Sequence, residues 1–209
     1  MLNQLNIEIG EDRLPGELCT ARGPGLVVFV DGSGNHREMR RNRQVAQTLQ
    51  HRGLATLLLD LLTPHEAEAR TDVYDIHLLA GRLLKALDAL PESVSAQPVG
   101  LFGAGTGAAA ALVAAMKRPA QVRAVVSRGG RPELAGDALD EVRAPTLLIV
   151  GEADPEVLAL NRQAYGRLRG VKRIDIVPRA THLFQEAGAL ETVAERAADW
   201  FLARLQPGG

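Results

Sequence analysis

Short apolar runs alternate along the chain with longer segments whose apolar residues recur every three or four positions. The short runs occupy residues 5–9, 17–21, 26–30, 55–60, 99–102, 123–127, 146–150 and 173–177. The later ones are almost wholly apolar, as strands covered on both faces must be. Between them, Ile76, Leu79, Ala80, Leu83, Leu84, Leu87 and Leu90 mark one face of a helix stopped by Pro91. Leu190, Val193, Ala194, Ala197, Phe201 and Leu205 mark another at the C-terminal end. Strand–helix alternation of this kind predicts an α/β architecture: a mostly parallel sheet of about eight strands with helices on both faces. Leu14-Pro15-Gly16 is a turn signal between the first two runs, so the sheet is expected to open with an antiparallel hairpin. The alanine-rich stretch 108–115 is expected to pack a helix closely onto the sheet.

Composition narrows the function classes. With 209 residues and 46% hydrophobic content, the chain is long enough for one core, and a single domain over 1–209 is the expectation. A net charge of −1 and 3% aromatic residues argue against nucleic acid as a partner, including for the basic run Arg37, Arg40, Arg41 and Arg43. That run is expected to head a helix ending near Gly53. The lone Cys19 excludes a disulfide framework. His36, His51, His65 and His77 show no ligand spacing, so neither a metal nor a cofactor is expected. The chain opens without a basic segment leading into an apolar run and contains no stretch of 18 apolar residues, which predicts a soluble, cytoplasmic protein without membrane association.

In parallel sheets, function collects at the carboxyl ends of strands. One such end, Gly103-Ala104-Gly105-Thr106-Gly107-Ala108, admits two readings. As G-x-G-x-x-A it matches a dinucleotide fingerprint of the NADP-like form, with Gly103, Gly105 and Ala108 in the key places and Arg128 near enough for a 2′-phosphate. However, such fingerprints usually open the first βαβ unit, and this one falls after about half the chain. As a nucleophile elbow, G-x-S-x-G, it has glycines at both flanking places, where side chains would strike the neighbouring strand and helix. Its central place is Gly105, which offers no nucleophile. The order along the chain favours the elbow: Asp154 follows the run at 146–150 and His182 follows the run at 173–177. Asp154 before Pro155 also has the form of a helix N-cap.

These motifs resemble the α/β-hydrolase fold, and within it the small dienelactone-hydrolase-like family that lacks a cap domain. The resemblance rests on Asp31-Gly-Ser-Gly-Asn with Arg41-Asn-Arg, on Leu101-Phe-Gly-Ala-Gly-Thr-Gly, on Ser127-Arg-Gly-Gly-Arg-Pro, on Pro145-Thr-Leu-Leu-Ile-Val-Gly, and on Ala180-Thr-His-Leu-Phe. It spans nearly the whole chain. Relatives usually carry Ser at the centre of the elbow and His-Gly where this chain has Asp31-Gly32.

The resemblance implies a hydrolase scaffold for small esters or lactones. Asp154 would orient His182 as general base for a nucleophile at position 105, and the backbone N–H groups of Thr106 and Ser33 would form the oxyanion hole. Asp31, Gly32, Arg128 and Arg131 would border the substrate. Arg128 and Arg131 could clamp an anionic group, or Arg131 could simply pair with Glu133. With Gly105 in place of a nucleophile, the expectation is an inactive or strongly weakened variant, or a ligand-binding protein that has kept the pocket. A water between His182 and position 105 is a further hydrolytic route. The irregular stretch 63–75 is expected to rim the pocket.

Overall fold

The computed structural model describes residues 3–11, 13–31, 36–63, 66 and 72–206. Among these residues, eight strands form one sheet in the order β1-β2-β4-β3-β5-β6-β7-β8. The strands are β1 (Asn3–Ile9), β2 (Leu14–Thr20), β3 (Leu26–Asp31), β4 (Ala55–Asp60), β5 (Val99–Ala104), β6 (Val122–Arg128), β7 (Thr146–Gly151) and β8 (Lys172–Val177). β1 and β2 run antiparallel to their neighbours, and the remaining pairs are parallel. The longer helices are α1 (His36–His51), α2 (Ile76–Asp88), α3 (Gly107–Lys117), α4 (Pro155–Arg167) and α5 (Ala189–Leu202).

The period of two along each strand sorts side chains into two cores. In β3, Leu26, Val28 and Val30 join α2, α3 and α4 on one face. Val27 and Phe29 join α1 and α5 on the other. The alanines of α3 are buried from Ala108 to Ala111, so the first turns of this helix lie tightly between β5, β6 and α2. No helix among the described residues is long and apolar enough to cross a membrane.

The expected hairpin is present, but its turn is not at Leu14-Pro15-Gly16. Those residues lie in β2, paired with Ile9, Glu8 and Ile7. The chain reverses earlier, with Gly10 at φ 71° and Arg13 at φ 49°, and the Arg13 N–H donates to the Gly10 carbonyl at 3.1 Å. Pro15 is tolerated because the pairing of β2 with β4 begins only at Gly16, so its missing N–H costs no bond in that ladder.

β5 lies at the centre, flanked by β3 and β6. The helix after β3 packs on one face and the helix after β5 on the other. This reversal opens a crevice at the carboxyl end of the sheet, the usual place for a ligand in such folds.

Candidate active site

The turn from β5 into α3 is held by crowding at its two flanking glycines. A Cβ on Gly103 would lie 2.6 Å from both Cα and N of Ala108. A Cβ on Gly107 would overlap the carbonyl oxygen of Val30 in the adjacent strand. Gly105 differs from both: its φ is 53°, and a Cβ there would meet nothing within 4 Å. The turn therefore has the shape of an elbow whose apex projects into open space. Its backbone is tied from outside by the Arg131 N–H, which donates to the Gly105 carbonyl at 2.9 Å. Thr106, only 7% exposed, follows at the start of α3, where helix N–H groups lack intrahelical partners.

Asp154 serves two neighbours at once. Its Oδ1 accepts the Val157 N–H at 3.3 Å, capping α4 in front of Pro155. Its Oδ2 lies 2.8 Å from His182 Nδ1. Asp154 thus caps α4 and contacts His182 at once, and the cap aims the carboxylate. An ionised carboxylate only accepts hydrogen bonds, so Nδ1 carries the proton and Nε2 is left as the basic nitrogen. The His182 side chain is 51% exposed against 15% for Asp154, leaving the imidazole accessible and its carboxylate partner sheltered.

The loop carrying His182 is fixed against the β7–α4 connection. The Ala153 N–H donates to the Ala180 carbonyl at 2.9 Å, and the Arg179 N–H to Glu152 Oε2 at 2.8 Å. Arg179 and Phe184 both take positive φ, at 61° and 52°, which bends the loop tightly around His182. Thr181 Oγ1 donates to Glu186 Oε1 at 2.6 Å, and this bond holds the Glu186 carboxyl below its ordinary range. On the opposite side Gly129 approaches the histidine; a Cβ there would come within 3.2 Å of the His182 carbonyl oxygen.

A cleft of about 540 Å³ brings these parts together. Gly105, Thr106, Asp154 and His182 line it, with Arg128 and Arg131. Arg131 is ion-paired with Glu133, so the pairing reading holds for this arginine. Arg128 is 4% exposed. The β3 end gives less: Gly32 and Ser33 lie outside the described residues, as does the side chain of Asp31. Of the rim expected at 63–75, Val73 and Tyr74 line the cleft, while most of residues 64–71 also lie outside the described residues.

Sequence reasoning missed Leu183, Val157 and Glu156, which also line the cleft. It also missed Asn161, fully buried on α4, whose Nδ2 donates to the Gly130 carbonyl at 3.0 Å and to the Val157 carbonyl at 2.8 Å. Through Gly130 and Arg131, this amide braces the segment that holds the Gly105 carbonyl. Its position seven residues after Asp154, two turns along one helix face, was the available signal.

The family model described as "Dienelactone hydrolase family" matches residues 15–206. The chain belongs to the dienelactone hydrolase family. A dienelactone hydrolase from Anabaena variabilis ATCC 29413, known from its crystal structure, is 49% identical, with a TM-score of 0.91 over 99% of each chain. Est1E from Butyrivibrio proteoclasticus, at 17% identity and a TM-score of 0.74 over 96% of this chain and 98% of its own, shares the α/β-hydrolase fold. Two curated Mycobacterium tuberculosis relatives, from strains CDC 1551 / Oshkosh and ATCC 25618 / H37Rv, bear the name "Putative phosphoribosyl transferase". Each is 52% identical over 206 residues, covering 97% of this chain but 46% of the relative. The chain thus spans about half the length of the curated relatives it matches.

Proposed function

We infer that the cleft binds small esters or lactones and supports their hydrolysis, with the reactive position held by Gly105 instead of a nucleophile. The observation that carries this reading is the 2.8 Å contact of His182 Nδ1 with Asp154, in the cleft that the elbow apex also lines. Asp154 fixes the tautomer and orientation of His182, and Nε2 takes the proton of the attacking group. The Thr106 N–H at the head of α3, together with the Ser33 N–H, stabilises the oxyanion of the tetrahedral intermediate. Backbone donors survive any change of side chain, so this stabilisation persists without a serine. A site that lacks one triad member but keeps its oxyanion hole retains roughly 10³ to 10⁴ of acceleration over water, several orders below an intact enzyme.

In this reading Arg128, lining the cleft, favours a substrate carrying an anionic group, and Arg128→Met should raise KM for anionic esters with little change for neutral ones. Hydrolysis is preferred over the transfer chemistry in the name of the M. tuberculosis relatives, because the match spans the hydrolase fold. The packing also gives Gly103 a reason of its own that needs no dinucleotide. The absence of a side chain at 105 favours a second reading, a ligand-binding protein that has kept the pocket. One comparison separates the two. Gly105→Ser raises p-nitrophenyl acetate hydrolysis by orders of magnitude if the cleft is a hydrolase site, and restores nothing if it is a binding pocket alone.

A further inference from the structure

We propose that this chain hydrolyses its ester by direct attack of water at position 105, with His182 as general base and no acyl-enzyme intermediate. The proposal rests on the reading of the cleft as a hydrolase site and assigns the route taken through it. Its basis is the contrast among the elbow glycines. Side chains at 103 and 107 are blocked by backbone, whereas the direction a side chain would take from Gly105 is clear for 4 Å. That space opens into the cleft lined by His182, whose Nδ1 is committed to Asp154. A water oxygen there has about the size of the hydroxyl that a serine would place, and needs only a base to activate it.

Two alternative nucleophiles are poorly placed. Cys19 is buried in β2, outside the cleft lining. Thr106 lines the cleft, but it is the N-cap of α3 and is largely buried.

The steps balance without any further reagent. The water oxygen bonds to the carbonyl carbon while His182 Nε2 takes one of its protons, and the carbonyl π pair moves onto oxygen, where the Thr106 N–H receives it. Collapse of this intermediate re-forms the carbonyl and breaks the bond to the leaving alkoxide, which takes the proton back from His182. The products are the carboxylic acid and the alcohol, and the protein is never acylated. A serine at 105 would replace this single displacement by two.

The test compares four chains, unaltered, Gly105→Ala, Gly105→Ser and His182→Ala, by p-nitrophenyl acetate turnover and by mass spectrometry of acid-quenched protein. Gly105→Ala fills the water position without supplying a nucleophile, and Gly105→Ser controls for the same backbone demand. The unaltered chain is expected to turn over linearly, with no burst and no added acetyl mass, and to lose turnover at least tenfold in both Gly105→Ala and His182→Ala. Gly105→Ser is expected to show a burst and one acetyl adduct. Turnover in Gly105→Ala equal to that of the unaltered chain, an acetyl adduct on the unaltered chain, or turnover indifferent to His182→Ala overturns the water route. A silent unaltered chain beside an active Gly105→Ser also overturns it, yet leaves the hydrolase reading standing. If Gly105→Ser is silent as well, the hydrolase reading fails with it.

Discussion

The two sides of the cleft contrast in what constrains them. On the Asp154–His182 side, backbone and side chains are both fixed: Asp154 is locked by capping α4, and His182 by the bonds that tie residues 179–180 to the β7–α4 connection. On the elbow side only the backbone is fixed. Gly103 and Gly107 are crowded by their neighbours, the Gly105 carbonyl is tied by Arg131, and the apex itself faces open space. Glycine at that apex also relieves the positive φ, which costs another residue about 1 to 3 kcal/mol. Scaffold and chemistry are therefore separable here. A nucleophile can be absent with no loss of stability, because nothing in the packing depends on its side chain.

The largest effect expected from this contrast is catalytic. Gly105→Ser should raise ester turnover by about 10² or more, and His182→Ala in that background should abolish the gain, as steady-state kinetics would read. The next concerns stability. Gly107→Ala forces a methyl into the Val30 carbonyl and should cost about 3 kcal/mol or more in urea unfolding. Gly105→Ala bears only the cost of its φ, about 1 to 2 kcal/mol. Equal losses would remove the distinction between crowded and open glycines.

Asn161→Ala tests the brace between the two sides. It leaves the buried Gly130 carbonyl without its donor, for about 1 to 3 kcal/mol of stability. In the Gly105→Ser background it should lower kcat more than it raises KM. The smallest effect lies at the rim. Hydrogen bonds from Arg82, and after them from Thr63, hold the Glu66 carboxyl well below its ordinary 4.5, at about 2. A lowered folded-state value stabilises the protein above the ordinary carboxylate range, and that stabilisation fades as pH falls from about 4.5 through 2. Glu66→Gln should cost about 1 kcal/mol at pH 7, allowing for solvent screening, and nothing near pH 2.

Much of this was legible from the chain alone. Each expected run overlaps a strand; the central ones, buried on both faces, leave an uninterrupted apolar signal, whereas β8 at the sheet edge is mostly not buried, against the expectation that it is covered on both faces. The places of Asp154 and His182 after β7 and β8 were legible from their order, and the tight turn after β5 from its glycine spacing. The hairpin turn was misplaced because Pro15 and Gly16 carry turn chemistry that an antiparallel strand accommodates where no ladder bond requires the missing N–H. Asn161 and Leu183 were missed because burial and proximity across α4 and the His loop leave no local pattern.

The sequence by itself determined the order of elements, the strand ends that carry Asp154 and His182, and the glycine at the turn after β5, since periodicity and residue chemistry are local properties. Only the tertiary structure decided that 103 and 107 cannot carry side chains while 105 can, that Asp154 caps a helix and faces His182 at once, and that Arg131 is held by Glu133. Those facts depend on which atoms of distant segments meet, and strand pairing and helix packing set those distances.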